Sequence, residues 1–159
     1  MKGNPKVIET MNALLAHEMS AADQYFIHSR MYQDWGLEEL YERMKHEQEE
    51  ELEHATKLVE RIVFLEGTPD VAARAALNIG SDVPSMIKND LGYEEFVQKE
   101  LVKAIAICEA EGDYVSRQVL TSLLDDTEED HIYWCEKQLG LIDKMGLPNY
   151  IQSKMSWRP

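Results

Sequence analysis

The sequence predicts an all-α protein, a four-helix bundle with one long crossover connection and a short fifth helix at the C-terminal end. Glycine and proline occur in few places, and the segments between them repeat apolar residues every three or four positions, which is the period of an α-helix. The 159 residues are enough for one domain with a substantial core. We therefore expect residues 1–159 to form a single domain.

The first half of the chain predicts an antiparallel helix pair. One helix runs from about Pro5 to Gln33, and a second runs from about Leu37 to Leu65. The short turn between them places the two helices side by side in opposite directions. Residues 67–82 then lack a helical period and can span roughly 50 Å at about 3.3 Å per residue. This crossover is long enough to return the chain to the other end of the bundle.

The second half predicts another helix pair and a short terminal helix. The third helix begins near Pro84 and breaks around Gly112, and the fourth continues to about Lys144. The crossover sets the third helix parallel to the second. Residues Leu147 to Trp157 are expected to form the fifth helix, with Pro148 in its first turn.

Composition excludes several classes of function. Lys and Arg total 16 against 30 Asp and Glu, and the net charge of −14 argues against binding to nucleic acid or to an anionic membrane. Cys108 and Cys135 stand alone on helical segments, which argues against a disulfide framework or a thiolate metal site. No run of about 18 apolar residues predicts a membrane span. We expect a protein of the reducing cytoplasm.

Acidic and imidazole side chains interrupt the apolar stripes of all four long helices, where they are expected to face inward. These residues are Glu18, Glu51, His54, Glu94, Glu128 and His131. Two Glu-x-x-His motifs occur, and each follows an inward glutamate of the preceding helix, by 33 residues in the first half and by 34 in the second. The chain therefore consists of two similar helical hairpins, each with the same set of candidate ligands.

This pattern predicts a buried site for two metal ions. An ionised carboxylate buried without a partner is very costly, and no Lys or Arg occupies the inward positions. Four carboxylates would balance two divalent cations, with one imidazole for each ion. Oxygen-rich ligation with one imidazole suits Fe(II) or Mn(II), and iron is the predicted metal. A glutamate from each of two helices and a Glu-x-x-His from each of the other two is the ligand pattern of di-iron bundles.

Other polar and aromatic residues are given structural roles. His17 and His28 are expected on a polar or intersubunit face, and Trp134 is expected to be structural. Tyr25 lies on the inward stripe, where its ring would pack in the core and its hydroxyl could bond to a ligand carboxylate.

Six short segments are distributed along the whole chain: Met1-Lys2-Gly3, Gln24-Tyr25-Phe26, Asp34-Trp35-Gly36-Leu37, Phe64-Leu65-Glu66-Gly67, Asp113-Tyr114-Val115-Ser116-Arg117 and Met145-Gly146-Leu147. They resemble segments of bacterioferritins, which have the ferritin-like form of this bundle. The resemblance implies a hollow shell of about 24 subunits arranged as two-fold dimers, with a ferroxidase centre in each bundle. It implies a function in iron storage and detoxification, in which dioxygen or hydrogen peroxide oxidises Fe(II) and the shell stores the ferric mineral. The ferric iron would either move from the centre into the cavity, or the centre would stay loaded as a stable cofactor.

The resemblance also assigns roles to individual residues. The six candidate ligands named above become those of the ferroxidase centre, with Glu51 and Glu128 bridging two irons and Glu18 and Glu94 terminal. His46 matches a position that binds iron on the inner cavity surface in some bacterioferritins, and Glu47 and Glu50 place carboxylates beside it. A solvated acidic stretch is the alternative interpretation of these three residues. Iron release would require an electron donor such as a ferredoxin.

Two positions depart from the family pattern. Leu52 stands where haem-binding bacterioferritins have the axial methionine, and leucine has no donor atom for iron. Haem b would therefore require a second subunit type that supplies the methionine, in a mixed rather than a homo-oligomeric shell. The segment from Arg117 to His131 is one residue longer than in many relatives, which predicts a local irregularity in the fourth helix.

Two other classes of function fit the helical bundle. One is a di-iron or di-manganese peroxidase or oxygenase, and the other is a structural assembly with degenerate sites. A rubrerythrin-like peroxidase would be expected to carry a Cys-x-x-Cys module, which this sequence lacks. The sequence therefore favours the storage function.

Overall fold

The computed structural model describes residues 1–155, and its helices confirm the predicted all-α bundle with a short C-terminal helix. Their bounds are α1 Pro5–Asp34, α2 Glu38–Phe64, α3 Val83–Ala110, α4 Tyr114–Asp126, α5 Tyr133–Met145 and α6 Leu147–Lys154. A π-helical turn, Thr127–Ile132, joins α4 to α5, and these three elements together form the fourth long helix. Within residues 1–155, no helix is long and apolar enough to cross a membrane.

Local sequence signals determine where the helices begin and end. The Asn4 side chain caps α1, and Asp82 forms a capping box with Ser85 at the start of α3. The Asp113 side chain caps α4 by accepting a hydrogen bond from the Ser116 N–H. Gly36 adopts a φ of 76°, a left-handed conformation that favours glycine, and this turn reverses the chain between α1 and α2.

The crossover between α2 and α3 is bound along α1 by side chains on one stripe of that helix. These side chains accept hydrogen bonds from crossover N–H groups in order: Ser20 Oγ from Ala75 at 2.7 Å, Gln24 Oε1 from Asn78 at 3.0 Å and His28 Nε2 from Gly80 at 3.1 Å. The crossover therefore runs in the same direction as α1 toward its C-terminal end. α3 starts there and runs antiparallel to α1, parallel to α2, as predicted.

His28 is fully buried, and the prediction that it lies on a polar or intersubunit face is wrong. Its Nε2 accepts from Gly80, which places the imidazole hydrogen on Nδ1, 2.9 Å from Asp90 Oδ1. Gln24 Nε2 donates to the same carboxylate oxygen at 2.8 Å. The crossover covers this face of α1, so a position that looks polar in the sequence becomes interior. His17 is half-buried, with its ring edge against Phe96.

The apolar core consists of two clusters separated along the bundle. One contains Leu15 of α1 and Leu58 of α2, and the other contains Tyr32 of α1 and Met44 of α2. The residues between the clusters on all four long helices include buried acids and imidazoles. We call five of them the polar layer: Glu18, Glu51, His54, Glu94 and His131.

α6 closes one end of the bundle. Tyr150 is fully buried, and its hydroxyl donates to Gln138 Oε1 of α5 at 2.6 Å. The predicted fifth helix reaches Trp157, a position that lies outside the described residues.

His28→Ala is expected to lower the free energy of unfolding by about 3 kcal/mol. The change creates a cavity, leaves the Gly80 N–H without its acceptor and leaves the buried Asp90 carboxylate with Gln24 alone. His46→Ala is the control, because that imidazole is 55% exposed and its loss should cost less than about 0.5 kcal/mol. Thermal denaturation of the metal-free proteins measures both effects. Equal melting temperatures for the two variants would contradict this account of the crossover.

Candidate metal centre

The polar layer lies at mid-height in the bundle and is closed to solvent. Its five side chains are each at most 2% exposed. α1 contributes Glu18, α2 contributes Glu51 and His54, α3 contributes Glu94, and the π-helical turn contributes His131. The two imidazole rings stack nearly in parallel, with centroids 5.8 Å apart and an interplanar angle of 17°. The structure thus brings together five of the six predicted ligands.

These five residues form two groups of potential ligands that share Glu51. In the first group, His54 Nδ1 lies 3.2 Å from Glu18 Oε2 and 3.6 Å from Glu51 Oε2. In the second, His131 Nδ1 lies 3.0 Å from Glu51 Oε1 and 3.2 Å from Glu94 Oε1. Within each group the three ligand atoms lie within 4.8 Å of one another. Each Glu51 oxygen faces one imidazole, so this carboxylate stands between two possible ion positions.

The far nitrogen of each imidazole contacts carboxylates outside the polar layer. His54 Nε2 lies 3.0 Å from Asp126 Oδ2, and His131 Nε2 lies 2.8 Å from both Glu47 Oε2 and Glu50 Oε2. Carboxylates in this position orient a metal-binding histidine and make its other nitrogen a better ligand. The arrangement leaves both Nδ1 atoms directed at the shared Glu51.

Burial and charge strongly perturb the ionisation of this cluster. Burial, together with the neighbouring Glu51 carboxylate, raises the pKa of Glu18 to about 8. Burial alone would lower the pKa of His54, but Glu18 and Glu51 raise it to about 11. The pKa of His131 lies well above its ordinary value, because the surrounding carboxylates, Glu94 first, outweigh the effect of burial. In the absence of metal, protons therefore supply the positive charge of the polar layer.

The donor atoms of the polar layer fit a pair of hard divalent cations. Glu18 Oε1, Glu51 Oε2 and Glu94 Oε2 are buried and have no hydrogen-bond partner within residues 1–155. Buried carboxylate oxygens are normally hydrogen-bonded or coordinated, since an unpaired one is costly. Oxygen donors with one imidazole per ion are the set that Fe(II) or Mn(II) accepts. The unpaired oxygens are therefore the sites where cations would bind.

Tyr25 supports one of these carboxylates. Its hydroxyl donates a hydrogen bond to Glu94 Oε1, and the side chain is buried in the apolar cluster next to the polar layer. This is the dual role that the sequence predicted for Tyr25. The bond fixes one oxygen of Glu94, and the described part of the chain offers no hydrogen bond to the other, Oε2.

Glu128 does not join the polar layer, and the prediction that it faces inward is wrong in this structure. Its side chain is exposed and accepts a hydrogen bond from Gln98 Nε2 at 2.9 Å. Thr127, which is 1% exposed, takes the inward position instead. The π-helical turn accounts for the difference, because its i→i+5 hydrogen bonds place more residues in each turn than an α-helix does. Thr127, four residues before His131, therefore shares the face of His131, and Glu128, three residues before it, does not. The predicted irregularity of the fourth helix is thus confirmed, and it displaces a predicted ligand.

A second cluster, which we call the outer group, lies behind His131. It consists of His46, Glu47, Glu50 and Asp130, whose ligand atoms lie within 4.8 Å of one another. The sequence predicted the first three as a possible iron site, and Asp130 is an addition from the structure. His46 Nε2 lies 2.9 Å from Glu50 Oε1. Glu50 therefore contacts both His46 and His131, and it links the outer group to the polar layer.

Leu52 is 41% exposed on the surface of α2. The side chain has no donor atom for a haem iron, and its exposure leaves it free to meet another subunit. The structure thus adds no haem ligand at this position.

Comparison with known proteins places the chain in a family. The model of the ferritin-like domain matches residues 8–145. The bacterial ferritin of Synechocystis sp. is 56% identical over 156 residues, covering 98% of this chain and 100% of that protein. The bacterial ferritin of Pseudomonas aeruginosa is 54% identical, with 98% and 100% covered. The bacterioferritin of Brucella melitensis is 41% identical over 152 residues, with 96% and 94% covered. The predicted resemblance to bacterioferritins is confirmed, and the chain belongs to the ferritin-like family.

Proposed function

We propose that this protein is a ferroxidase and iron-storage subunit, which oxidises Fe(II) to Fe(III) in the polar layer and stores the ferric product inside a hollow shell. The observation that carries the proposal is the pair of buried ligand groups that share Glu51. Membership of the ferritin-like family supports the same function.

Each polar-layer residue has a role in this proposal. Glu18 and His54 bind one Fe(II), Glu94 and His131 bind the other, and Glu51 lies between the two ions. Because a loss of one electron raises the charge of each iron, a carboxylate-rich site favours Fe(III) over Fe(II). Dioxygen or hydrogen peroxide is the oxidant, and no amino-acid nucleophile takes part. The protein positions the two substrate ions and lowers the energy of the ferric product.

The polar layer contains fewer carboxylates to neutralise two divalent ions than the sequence predicted. Four carboxylates would neutralise two divalent ions, but Glu128 lies outside and three remain in the polar layer. Glu47 is the next buried carboxylate, 2% exposed and 2.8 Å from His131 Nε2. Glu47 contacts the polar layer through the imidazole of His131, and it shares its negative charge with Arg43.

The shell is proposed as an assembly of about 24 subunits in the cytoplasm. Phe26 of α1 and Leu77 and Ile79 of the crossover are large apolar side chains left exposed, which supports subunit contacts at these positions. His46, Glu47 and Glu50 would bind iron on its way to the cavity. A ferredoxin is the proposed electron donor for iron release. Haem b would bind only with a methionine-bearing partner subunit, since Leu52 has no donor atom.

Addition of Fe(II) to the metal-free protein under air tests the proposal. We expect a fast oxidation phase that ends at about two Fe(II) per chain, the capacity of a paired site. Glu51→Ala should abolish this phase because both ligand groups lose their shared member. Glu53→Ala is the matched control, as that glutamate is exposed on the same helix. Absence of a fast phase, or a fast phase that survives Glu51→Ala, would refute the ferroxidase assignment.

Binding of divalent ions is expected to release protons and to tighten as pH rises. The raised pKa values of His54 and His131 keep both imidazoles protonated near neutral pH, and each must lose a proton to act as a ligand. Titration with Zn(II), as a redox-inert probe, should give at least about tenfold higher affinity at about pH 8 than at about pH 6. Proton release measured with an indicator dye provides the second readout. An affinity that does not change with pH would contradict the assignment of these nitrogens as ligands.

A further inference from the structure

The outer group contains a positive charge from the protein itself. Arg43 of α2 places a guanidinium nitrogen, Nη2, 2.5 Å from Glu47 Oε1 and 2.9 Å from Asp130 Oδ1. The guanidinium also lies over the Trp134 ring, with its central carbon 4.9 Å from the ring centroid. One side chain therefore joins α2 to the π-helical turn and to α5.

Glu47 connects this arginine to the polar layer. Its carboxylate is 2% exposed and lies between Arg43 and His131 Nε2, at 2.5 Å and 2.8 Å. Neither contact has the geometry of a hydrogen bond, and both Glu47 oxygens lack a hydrogen-bond partner within residues 1–155. The Arg43 Nε atom is buried and has none either. Charge alone therefore holds Arg43 to Glu47, so another cation can replace the guanidinium there, while Nη2 keeps its hydrogen bond to Asp130 Oδ1 at 2.9 Å.

Arg43 reduces the number of ligands that the outer group offers to a metal ion. The group contains four potential ligands, and Arg43 occupies Glu47 and Asp130. Only His46 and Glu50 remain, and Glu50 also receives a hydrogen bond from His131. Divalent iron binds tightly only where several oxygen and nitrogen ligands converge. With Arg43 in place, the outer group is a weak site.

We infer that Arg43 is a built-in competitor of metal ions at the outer group, which keeps this cluster a transit point for iron rather than a place where iron is retained. The inference rests on the proposed function, because transit implies that iron leaves the polar layer. Iron that passes His131 would displace the guanidinium from Glu47 for a short time. The guanidinium then returns and favours release of the ion toward solvent.

Arginine has the properties that this role requires. It remains charged under all physiological conditions, and its planar fork can contact two carboxylates while its face stacks on an aromatic ring. Burial would lower the pKa of Arg43, but Glu47 and Asp130 raise it above its ordinary value. Lysine would keep the charge without the stacked, two-carboxylate geometry.

Calorimetric titration of the metal-free assembly with Zn(II) tests this inference. We expect the wild-type protein to bind two ions per chain tightly. Arg43→Gln should bind one additional ion per chain, at least about tenfold more tightly than the wild-type outer group does, since a nearby cation no longer competes. Glu50→Ala in the Arg43→Gln background should remove the added ion.

Arg74→Gln is the matched control because Arg74 pairs with Asp23 at 2.9 Å on an exposed surface and its loss changes net charge equally. No additional ion is expected in this control. Arg43→Met, which also removes the charge, provides a second variant if Arg43→Gln does not assemble, and it should gain affinity in the same direction. Melting temperatures of all variants separate a change in binding from a loss of fold.

The outcomes distinguish the inference from the proposed function. If Arg43→Gln and Arg43→Met bind Zn(II) with the stoichiometry and affinity of the wild type, or if Arg74→Gln shows the same gain, the role of Arg43 is refuted. If the two tight ions are missing from every protein while Arg43→Gln still gains one, the polar layer is not the proposed centre and the role of Arg43 as a competitor stands.

Discussion

Burial of carboxylates between two apolar clusters is the constraint on which the rest of this structure depends. The polar layer interrupts the core on every long helix, and three of its carboxylate oxygens have no hydrogen-bond partner within residues 1–155. Such an arrangement is unfavourable unless positive charge enters the layer. In the metal-free protein, protons on the imidazoles meet part of this need, as the raised pKa values of His54 and His131 indicate. Two divalent cations would neutralise the buried carboxylates more completely than these protons do. This links the stability of the bundle to its proposed function.

The surroundings of the polar layer follow from the same constraint. Asp126 and Glu50 hold the far nitrogens of the two imidazoles, and Tyr25 fixes one oxygen of Glu94. These contacts leave the remaining donor atoms directed at a common space around Glu51. Farther out, the guanidinium of Arg43 pairs with Glu47 and Asp130, just outside the polar layer. Acidic side chains therefore extend from the polar layer to the outer group, but only in the outer group does a side-chain cation occupy them.

The sequence predicted most of the fold because glycine and proline mark the helix ends and the apolar period defines the inward faces. Glu18, Glu51 and His54 lie where that period places them, since α1 and α2 are regular helices. Glu128 lies elsewhere because its inward position depends on regular α-helical spacing to His131, and a π-helical turn changes that spacing. The extra residue was visible in the sequence, but its location within the helix was not.

Residues that act through tertiary contacts left little signal in the sequence. His28 looked like a surface histidine because nothing in the helical period of α1 shows that the crossover will cover it. Asp126 and Asp130 lie in an acidic segment without a ligand motif of their own, and only the packing of the helices shows that they contact His54 and Arg43. Arg43 itself occupies a polar position of α2, where an arginine is usually solvated. To predict such roles, one must know which helix faces pack against each other.

The most direct test of the central claim is anomalous diffraction at the cobalt edge from crystals soaked in Co(II). The account predicts two strong peaks per chain between His54 Nδ1 and His131 Nδ1, about 3.5–4 Å apart, with Glu51 in contact with both. A single peak, or peaks confined to the surface with none in the polar layer, would contradict the claim that the buried carboxylates form a paired metal site.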